Sequence, residues 1–321
     1  MNHLISNKNT TERDIIVLGN GFDLYLNVKL IHHGREYSTT FKDYARFISN
    51  KKKYEDWYKF CKSFLGIKND TLWGELENAI QDLVDFMDKD GMHSKIEFIA
   101  KNCPQIIKQK QDSFNEFFST NKIKYCQSKI RDIRFNKNDV IISFNYTTKK
   151  IFEKIFPKCF VDKNIFLIHG KMGDDIRVGA FSDFRQLNMF TSKEIQPLKE
   201  IGLENLKMKN LCKNGLDNIK RLDNFLNEFR DSKGNDRDCF NGLYILGLSL
   251  SSVDTPYFQY FFNLFKDHIN CRYSIKEKRS NKTYEGERRK AKFNLYKLFY
   301  SNNFHPKIDS LDSILKEEFI K

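Results

Sequence analysis

The chain has 321 residues, 40% of them hydrophobic and 14% aromatic, which excludes a disordered or fibrous protein and supplies material for one large core or two modest ones. Against 42 Asp and Glu stand 55 Lys and Arg, a formal charge of +13. Such a balance favours polyanionic partners, whether nucleic acid, dinucleotide or acidic lipid, although a composition loaded with Lys, Asn, Ile and Phe yields the same excess with no ligand in view.

In chain order, the first readable element is the apolar run Ile15 to Leu18, which leads into Gly19-Asn20-Gly21-Phe22-Asp23. Roughly Thr40 to Asn138 then reads mostly as helices, with Leu76, Ile80, Leu83, Val84 and Met87 in one stripe and Phe114, Phe117 and Phe118 opening another. Three further runs repeat the first design: Val140 to Phe144 before Asn145-Tyr146-Thr147-Thr148, Ile165 to Ile168 before His169-Gly170, and Leu243 to Leu246 before Gly247-Leu248-Ser249. Each is short, β-branched or aromatic, and unalternated, as in strands buried on both faces of a parallel sheet. Around Thr191 to Asp238 a charged helical segment keeps Leu222, Phe225, Leu226 and Phe229 in register. After the last run, Val253, Tyr257, Phe258, Phe261, Phe262 and Phe265 recur at helical steps, with Ser251 or Ser252 as N-cap. Lys276 to Lys292 holds eight basic and three acidic residues, too polar for core, and Leu311, Ile314, Leu315 and Phe319 line an amphipathic closing helix.

Alternating strand and helix predicts an α/β, doubly wound, mostly parallel sheet with helices on both faces. The stretch between the first two strands far exceeds an ordinary connection of about 2–6 residues. The expected organisation is therefore an α/β core from residues 1–39 and 139–321, with a helical insertion at about 191–238, and an inserted helical subdomain at 40–138.

In such a sheet ligands bind beyond the carboxyl ends of the strands, where strand order reverses. All four polar motifs follow a strand, so they are expected to converge on one crevice. Gly19 and Gly21 suit either a plain tight turn or close backbone approach to a phosphate; position 24 is Leu, so the third glycine of the dinucleotide fingerprint is missing. Asp23 reads either as a first-turn acid complementing a helix dipole or as an acceptor for ribose hydroxyls or a water. Asn145 either closes its turn or orients a ribose or a water. His169, at a strand end beside Gly170, has the side chain suited to general-base work at neutral pH. His32-His33 reads as loop, and His93, His268 and His305 are isolated. Metal-dependent phosphohydrolysis would draw on Asp23, Glu75, Glu77 and Asp254, with Glu77 on one helix face with Trp73.

The seven cysteines (61, 103, 126, 159, 212, 239 and 271) are dispersed, with no CxxC and no His at metal spacing, so reduced thiols and no metal site are expected. Met1 to Thr11 is polar and lacks an apolar core, and no run nears about 18 apolar residues. The expectation is a cytoplasmic protein with no membrane partner.

The series Gly19 to Leu24, Trp73-x-x-Leu76-Glu77, Ser143 to Thr148, Ile168-His169-Gly170 and Leu246-Gly247-Leu248-Ser249-Leu250 with Asp254 resembles the bacteriophage abortive-infection AbiH family, in order, over about residues 14 to 266. The chain departs from the family's Gly-His-Ser-Leu element at Leu248. The family in turn resembles sirtuin-type NAD-binding domains, which implies a Rossmann-like sheet and an anti-phage effector that hydrolyses NAD or a related nucleotide at its N-glycosidic bond. By that resemblance Gly19 and Gly21 approach the pyrophosphate, Asn145 holds the nicotinamide ribose or a water, and His169 is the base. Ser249 and Leu250 line the adenosine side, and Asn20, Phe22, Tyr146, Thr147, Gly170, Gly247 and Asp254 complete the nucleotide-binding set. Asp23 joins Asn145 and His169 as a catalytic candidate, because a carboxylate stabilises an oxocarbenium-like ribosyl centre. No prosthetic group is expected; the nucleotide is substrate or ligand, with a homo-oligomer or a phage-derived trigger as further partners. The alternative is a non-catalytic sensor that holds a nucleotide in the crevice and engages nucleic acid through residues 276–292.

Overall fold

Six short strands make the central sheet, three of them wholly buried, and their side chains alternate between two apolar layers. The computed structural model describes residues 13–63, 65–67, 76, 79, 93–157, 162–169, 181–182, 213–229, 240–249, 254, 257–261, 270–275, 286, 288–289, 295 and 306–320. The chain opens with β1 (Ile15–Leu18), α1 (Asn20–Tyr25) and the pair β2 (Lys29–His32) and β3 (Arg35–Ser38), followed by α2 (Phe41–Ser49), α3 (Glu55–Ser63) and α4 (His93–Phe118). Next come β4 (Ile123–Lys124), α5 (Gln127–Ile130), β5 (Val140–Ser143), α6 (Thr148–Ile155) and β6 (Ile165–Leu167). The described elements end with β7 (Phe181–Ser182), β8 (Lys213–Asn214), α7 (Gly215–Asn227), β9 (Gly242–Leu246), β10 (Asn270–Ile275), β11 (Lys307–Ser310) and α8 (Leu311–Ile314), which runs on into a π-helical turn, Leu315–Phe319.

The sheet runs β6-β5-β1-β9-β10-β11, and every neighbouring pair is parallel. β1 is central: Ile15 pairs with Val140 on one side and Leu243 on the other. Chain order reverses at β1, with β5 and β6 laid down to one side and β9, β10 and β11 to the other, so the topological switch point lies between β1 and β9.

β1, β5 and β9 are buried along their whole length, which accounts for their unalternated apolar sequences. Ile15, Val17, Val140, Ile142, Leu243 and Ile245 face one layer, closed by Leu222 and Leu226 of α7 and by Tyr257, Phe258 and Phe261. Ile16, Leu18, Ile141, Tyr244 and Leu246 face the other, closed by Phe22, Phe152, Leu311, Ile314, Leu315 and Phe319. Ser251, Ser252, Val253, Phe262 and Phe265 lie outside the described residues, as do 191–212 and 230–238.

A third apolar cluster belongs to the helices after β3. Tyr44, Phe47 and Ile48 of α2 and Trp57 and Phe60 of α3 pack on Ile106, Phe114, Phe117 and Phe118 of α4, with Leu76. Ile80, Leu83, Val84 and Met87 lie outside the described residues. Trp57 donates its indole N–H to the Tyr44 hydroxyl (2.8 Å), which bonds to Ser113 Oγ (2.5 Å), so the polar atoms of this core are satisfied together. Before residue 138 the chain has rejoined the sheet: Ile133 and Phe135 pack beside Phe152 and Phe319, and Ile133 bridges Ile320.

His32-His33, expected as loop, is instead a strand end and a hairpin turn. β2 pairs antiparallel with β3, with His32 opposite Arg35, and with β4 on its other edge. His33 (φ 47°) and Gly34 (φ 80°) are both left-handed, as a two-residue type I′ turn requires. His32 Nε2 bonds the Phe117 carbonyl at 2.8 Å and its ring stacks on Phe117, so this histidine fastens the hairpin to the helical cluster. Burial lowers its pKa against the opposing pull of the Phe117 carbonyl.

Candidate functional site

Three strand ends deliver the candidate residues to one place. Phe144 N donates to Leu18 O (2.8 Å), extending the β1–β5 ladder by one step and setting Asn145 opposite Gly19. Ile168 N donates to Ser143 O (3.0 Å), which brings His169 alongside the same turn. Gly19 N donates to Leu246 O (2.9 Å), joining the β1 turn to the end of β9. The turn after β5 is shaped locally: Asn145 N donates to Ser143 Oγ at 2.9 Å, so a serine at the strand end closes it.

The three glycines interlock backbone to backbone. Gly21 N donates to Gly247 O at 2.7 Å, so that amide is occupied within the protein. A Cβ on Gly21 would lie 2.6 Å from Gly247 O, one on Gly19 would lie 2.4 Å from Leu248 Cα, and one on Gly247, whose φ is +67°, would lie 2.1 Å from Phe22 N. Close approach is therefore needed here between two loops of the same chain, a physical reason for glycine that involves no ligand. Gly247 N is held by Ser274 Oγ at 2.6 Å.

Asp23, in the first turn of α1, points inward and is 1% exposed. Asn145 Nδ2 donates to Asp23 Oδ1 (2.9 Å) and to Gly19 O (3.0 Å), and Thr147 Oγ1 donates to Asp23 Oδ2. A carbonyl can only accept, so the Gly19 contact fixes which end of the Asn145 amide is nitrogen. Both amide protons are then used. Asn145 Oδ1 is left buried with no hydrogen-bond partner among the described residues. Burial pushes the Asp23 carboxyl up from 3.8 to about 7; bonds from Thr147, Asn145 and Thr39 oppose the shift without cancelling it. Thr39, a participant that sequence reasoning missed, is itself buried and donates to Asn20 Oδ1 at 2.6 Å. The available signal was the doubled Thr39-Thr40: Thr40 caps α2 by accepting from Asp43 N, which leaves its neighbour for another duty.

His169 is 3% exposed and lies on the other side of the Asn145–Thr147 turn's middle residue. Its ring stacks on Tyr146 (centroids 4.3 Å apart, 22°), and Tyr146 Oη is 3.2 Å from His169 Nδ1. Tyr146 also stacks on Phe118 of α4 (4.9 Å, 24°), and Phe144 meets the imidazole edge-on.

The structure thus brings Asp23, Asn145 and Thr147 into one buried polar cluster, ties half-buried Asn20 to it through Thr39, and sets His169 with Tyr146 beside it. Phe22 does not join them: its ring is in the apolar layer against Phe135. Leu248, the position of the family's expected histidine, is also core, and its carbonyl accepts from Tyr273 Oη at 2.8 Å. Ser249 is exposed and Asp254 is buried. Gly170, Leu250, Trp73, Glu75 and Glu77 lie outside the described residues, as does 276–292 apart from Gly286, Arg288 and Arg289.

Fold and site together define a parallel α/β protein with its buried polar chemistry gathered at the carboxyl ends of β1, β5 and β6. The family model for bacteriophage abortive infection AbiH matches residues 15–275, from β1 through β10. The chain belongs to that family, and its role is in abortive infection. No curated protein and no solved structure matches the chain. Among the described residues no helix is long and apolar enough to cross a membrane.

Proposed function

We propose that the carboxyl ends of β1, β5 and β6 take NAD or a related nucleotide and that Asp23, Asn145 and His169 serve hydrolysis of its N-glycosidic bond. The observation that carries this reading is the Asp23–Asn145 pair: a wholly buried carboxyl raised to about 7, held by an amide whose own Oδ1 awaits a donor. Perturbed, buried titratable groups at a strand-end crevice mark candidate functional sites. Numbered along the chain, the sheet strands fall in the order 3-2-1-4-5-6, that of doubly wound dinucleotide-binding folds, which supports a Rossmann-like, sirtuin-like reading of the core.

In the reaction the ribose C1′–N bond breaks and its electron pair leaves with nicotinamide. Ionised Asp23, in surroundings of low dielectric, stabilises the positive charge developing at the ribose. Asn145 Oδ1 accepts a hydrogen bond from a ribose hydroxyl or from the incoming water. Water adds at C1′ and His169 takes its proton. The blocked Gly21 amide weakens the case for pyrophosphate cradling at that residue and shifts the weight of the reading to the ribosyl end.

Purified protein incubated with NAD, with and without lysate of phage-infected cells, should release nicotinamide; Asp23→Asn and His169→Gln should each lower the rate by roughly 100-fold or more. Absence of release under both conditions, together with no nucleotide retained by the protein on mass spectrometry, would sink the proposal.

A further inference from the structure

We propose that Tyr146 is a positioning residue: by stacking on His169 it sets the imidazole's orientation, and by stacking on Phe118 it ties that orientation to the seating of the helical cluster. The assignment of catalysis to His169 rests on the preceding reading; the mechanical link does not.

Tyr146 belongs to both sides of the molecule. Its backbone is the middle of the Asn145–Thr147 turn, whose outer two side chains hold Asp23. Its ring is counted with the helical core, where Phe114 is 5.5 Å away and Phe41 6.2 Å away, as well as Phe118 at 4.9 Å. Phe114 and Phe118 are buried on α4, and Phe118 stacks in turn with Tyr44 of α2 at 16°. Near-parallel rings therefore run from α2 through Phe118 and Tyr146 to His169, with tilts of 16°, 24° and 22°.

Packed interiors transmit displacement because they have little free volume. A shift of α4 against the sheet must move the Tyr146 ring or break its stack. Either event turns the imidazole that rests on it. The hydroxyl contributes less than the ring. With the rings at 22°, Tyr146 Oη meets Nδ1 across the imidazole face rather than along its in-plane lone pair, at 3.2 Å. Thr39 makes a parallel tie: it lies between β3 and α2 and bonds to Asn20 beside Asp23.

The experiment compares full-length wild type with Tyr146→Phe, Tyr146→Leu, Phe118→Leu and Phe41→Leu. It reads the His169 ring-proton resonances, assigned with His169→Gln, alongside kcat and KM for nicotinamide release from NAD. The expected pattern in the His169 ring-proton resonances is little change for Tyr146→Phe, a downfield shift for Tyr146→Leu as the ring current is lost, and an intermediate shift for Phe118→Leu. Phe41→Leu, at the edge of the same contact, provides a milder second probe should Phe118→Leu fail to fold. For the variants that break the stack kcat falls, by up to roughly 100-fold for Tyr146→Leu and by less for Phe118→Leu, at unchanged KM. A raised KM at unchanged kcat would instead make Tyr146 a nucleotide contact and overturn the proposal. Ring-proton resonances that ignore Phe118→Leu and Phe41→Leu, or that respond to Tyr146→Phe as strongly as to Tyr146→Leu, would overturn it as well. If the resonances follow the expected order while wild type releases no nicotinamide, the hydrolase reading fails and the link stands.

Discussion

Asp23 shows how one residue acquires its chemistry from neighbours remote in sequence. Alone, an acid in the first turn of a helix complements the dipole and stays ionised. Here it is buried against Asn145 and Thr147, and desolvation outweighs the hydrogen bonds, so its carboxyl rises from 3.8 to about 7. The linkage has a definite sign. Between about pH 4 and 7 the native protein keeps a proton that the unfolded chain has lost, so the contribution of Asp23 to stability is greatest below pH 4 and is lost as pH rises through 7. Asp23→Asn, which can accept from Asn145 and turn its own amide toward Thr147, should remove that decline. Urea midpoints measured at pH 5 and pH 8 check this: wild type should be less stable at pH 8, and the variant should gain most there, by a few kcal/mol. Asp139, raised by burial to about 6, adds a slope of the same sign to both proteins and cancels in the comparison.

Among elements, the buried strands were the easiest to read. Ile15–Leu18, Val140–Ser143 and Gly242–Leu246 are covered on both faces, and burial of that kind leaves an unalternated apolar run in the sequence. The helix stripes Leu222/Leu226 and Leu311/Ile314/Leu315/Phe319 were equally plain, because a period of 3.6 survives without tertiary information. β10 and β11 were not read as strands: Asn-Cys-Arg-Tyr-Ser-Ile and Lys-Ile-Asp-Ser mix polar and apolar residues, and the pairing of β10 with β9 and of β11 with β10 supplies what their composition does not. The β2–β3 hairpin was missed because its turn is His33-Gly34 rather than Asn-Gly. The turn can be tested directly. His33→Asn should be neutral or stabilising by up to about 0.5 kcal/mol, whereas His33→Val, β-branched and unsuited to positive φ, should lose roughly 1–2 kcal/mol, measured as thermal or urea midpoints.

On the scale of the whole molecule, the chain is a sheet whose strand order reverses at β1, with a helical cluster leaning on the turn that carries Asn145, Tyr146 and Thr147. Under the proposed hydrolysis, His169→Gln is expected to abolish protection in a phage-plating assay while keeping a thermal midpoint within a few degrees of wild type. Protection that persists in this variant would remove His169 from the mechanism.

The amino-acid sequence by itself determined the α/β class, the strand-end positions of Gly19, Asn145 and His169, and membership of a recognisable family, because buried strands and motif order are local properties written in consecutive residues. Tertiary structure decided the rest. That Asn145, 122 residues from Asp23, would hold its carboxyl is a matter of strand order, which no local pattern encodes. That Gly21 and Gly247 would close on each other, that Thr39 would reach Asn20, and that Tyr146 would join His169 to Phe118 follow likewise from which backbones the sheet and its helices set side by side. Hydrogen bonds, burial and ring stacking act over a few ångströms of space. Their partners were fixed when the chain folded.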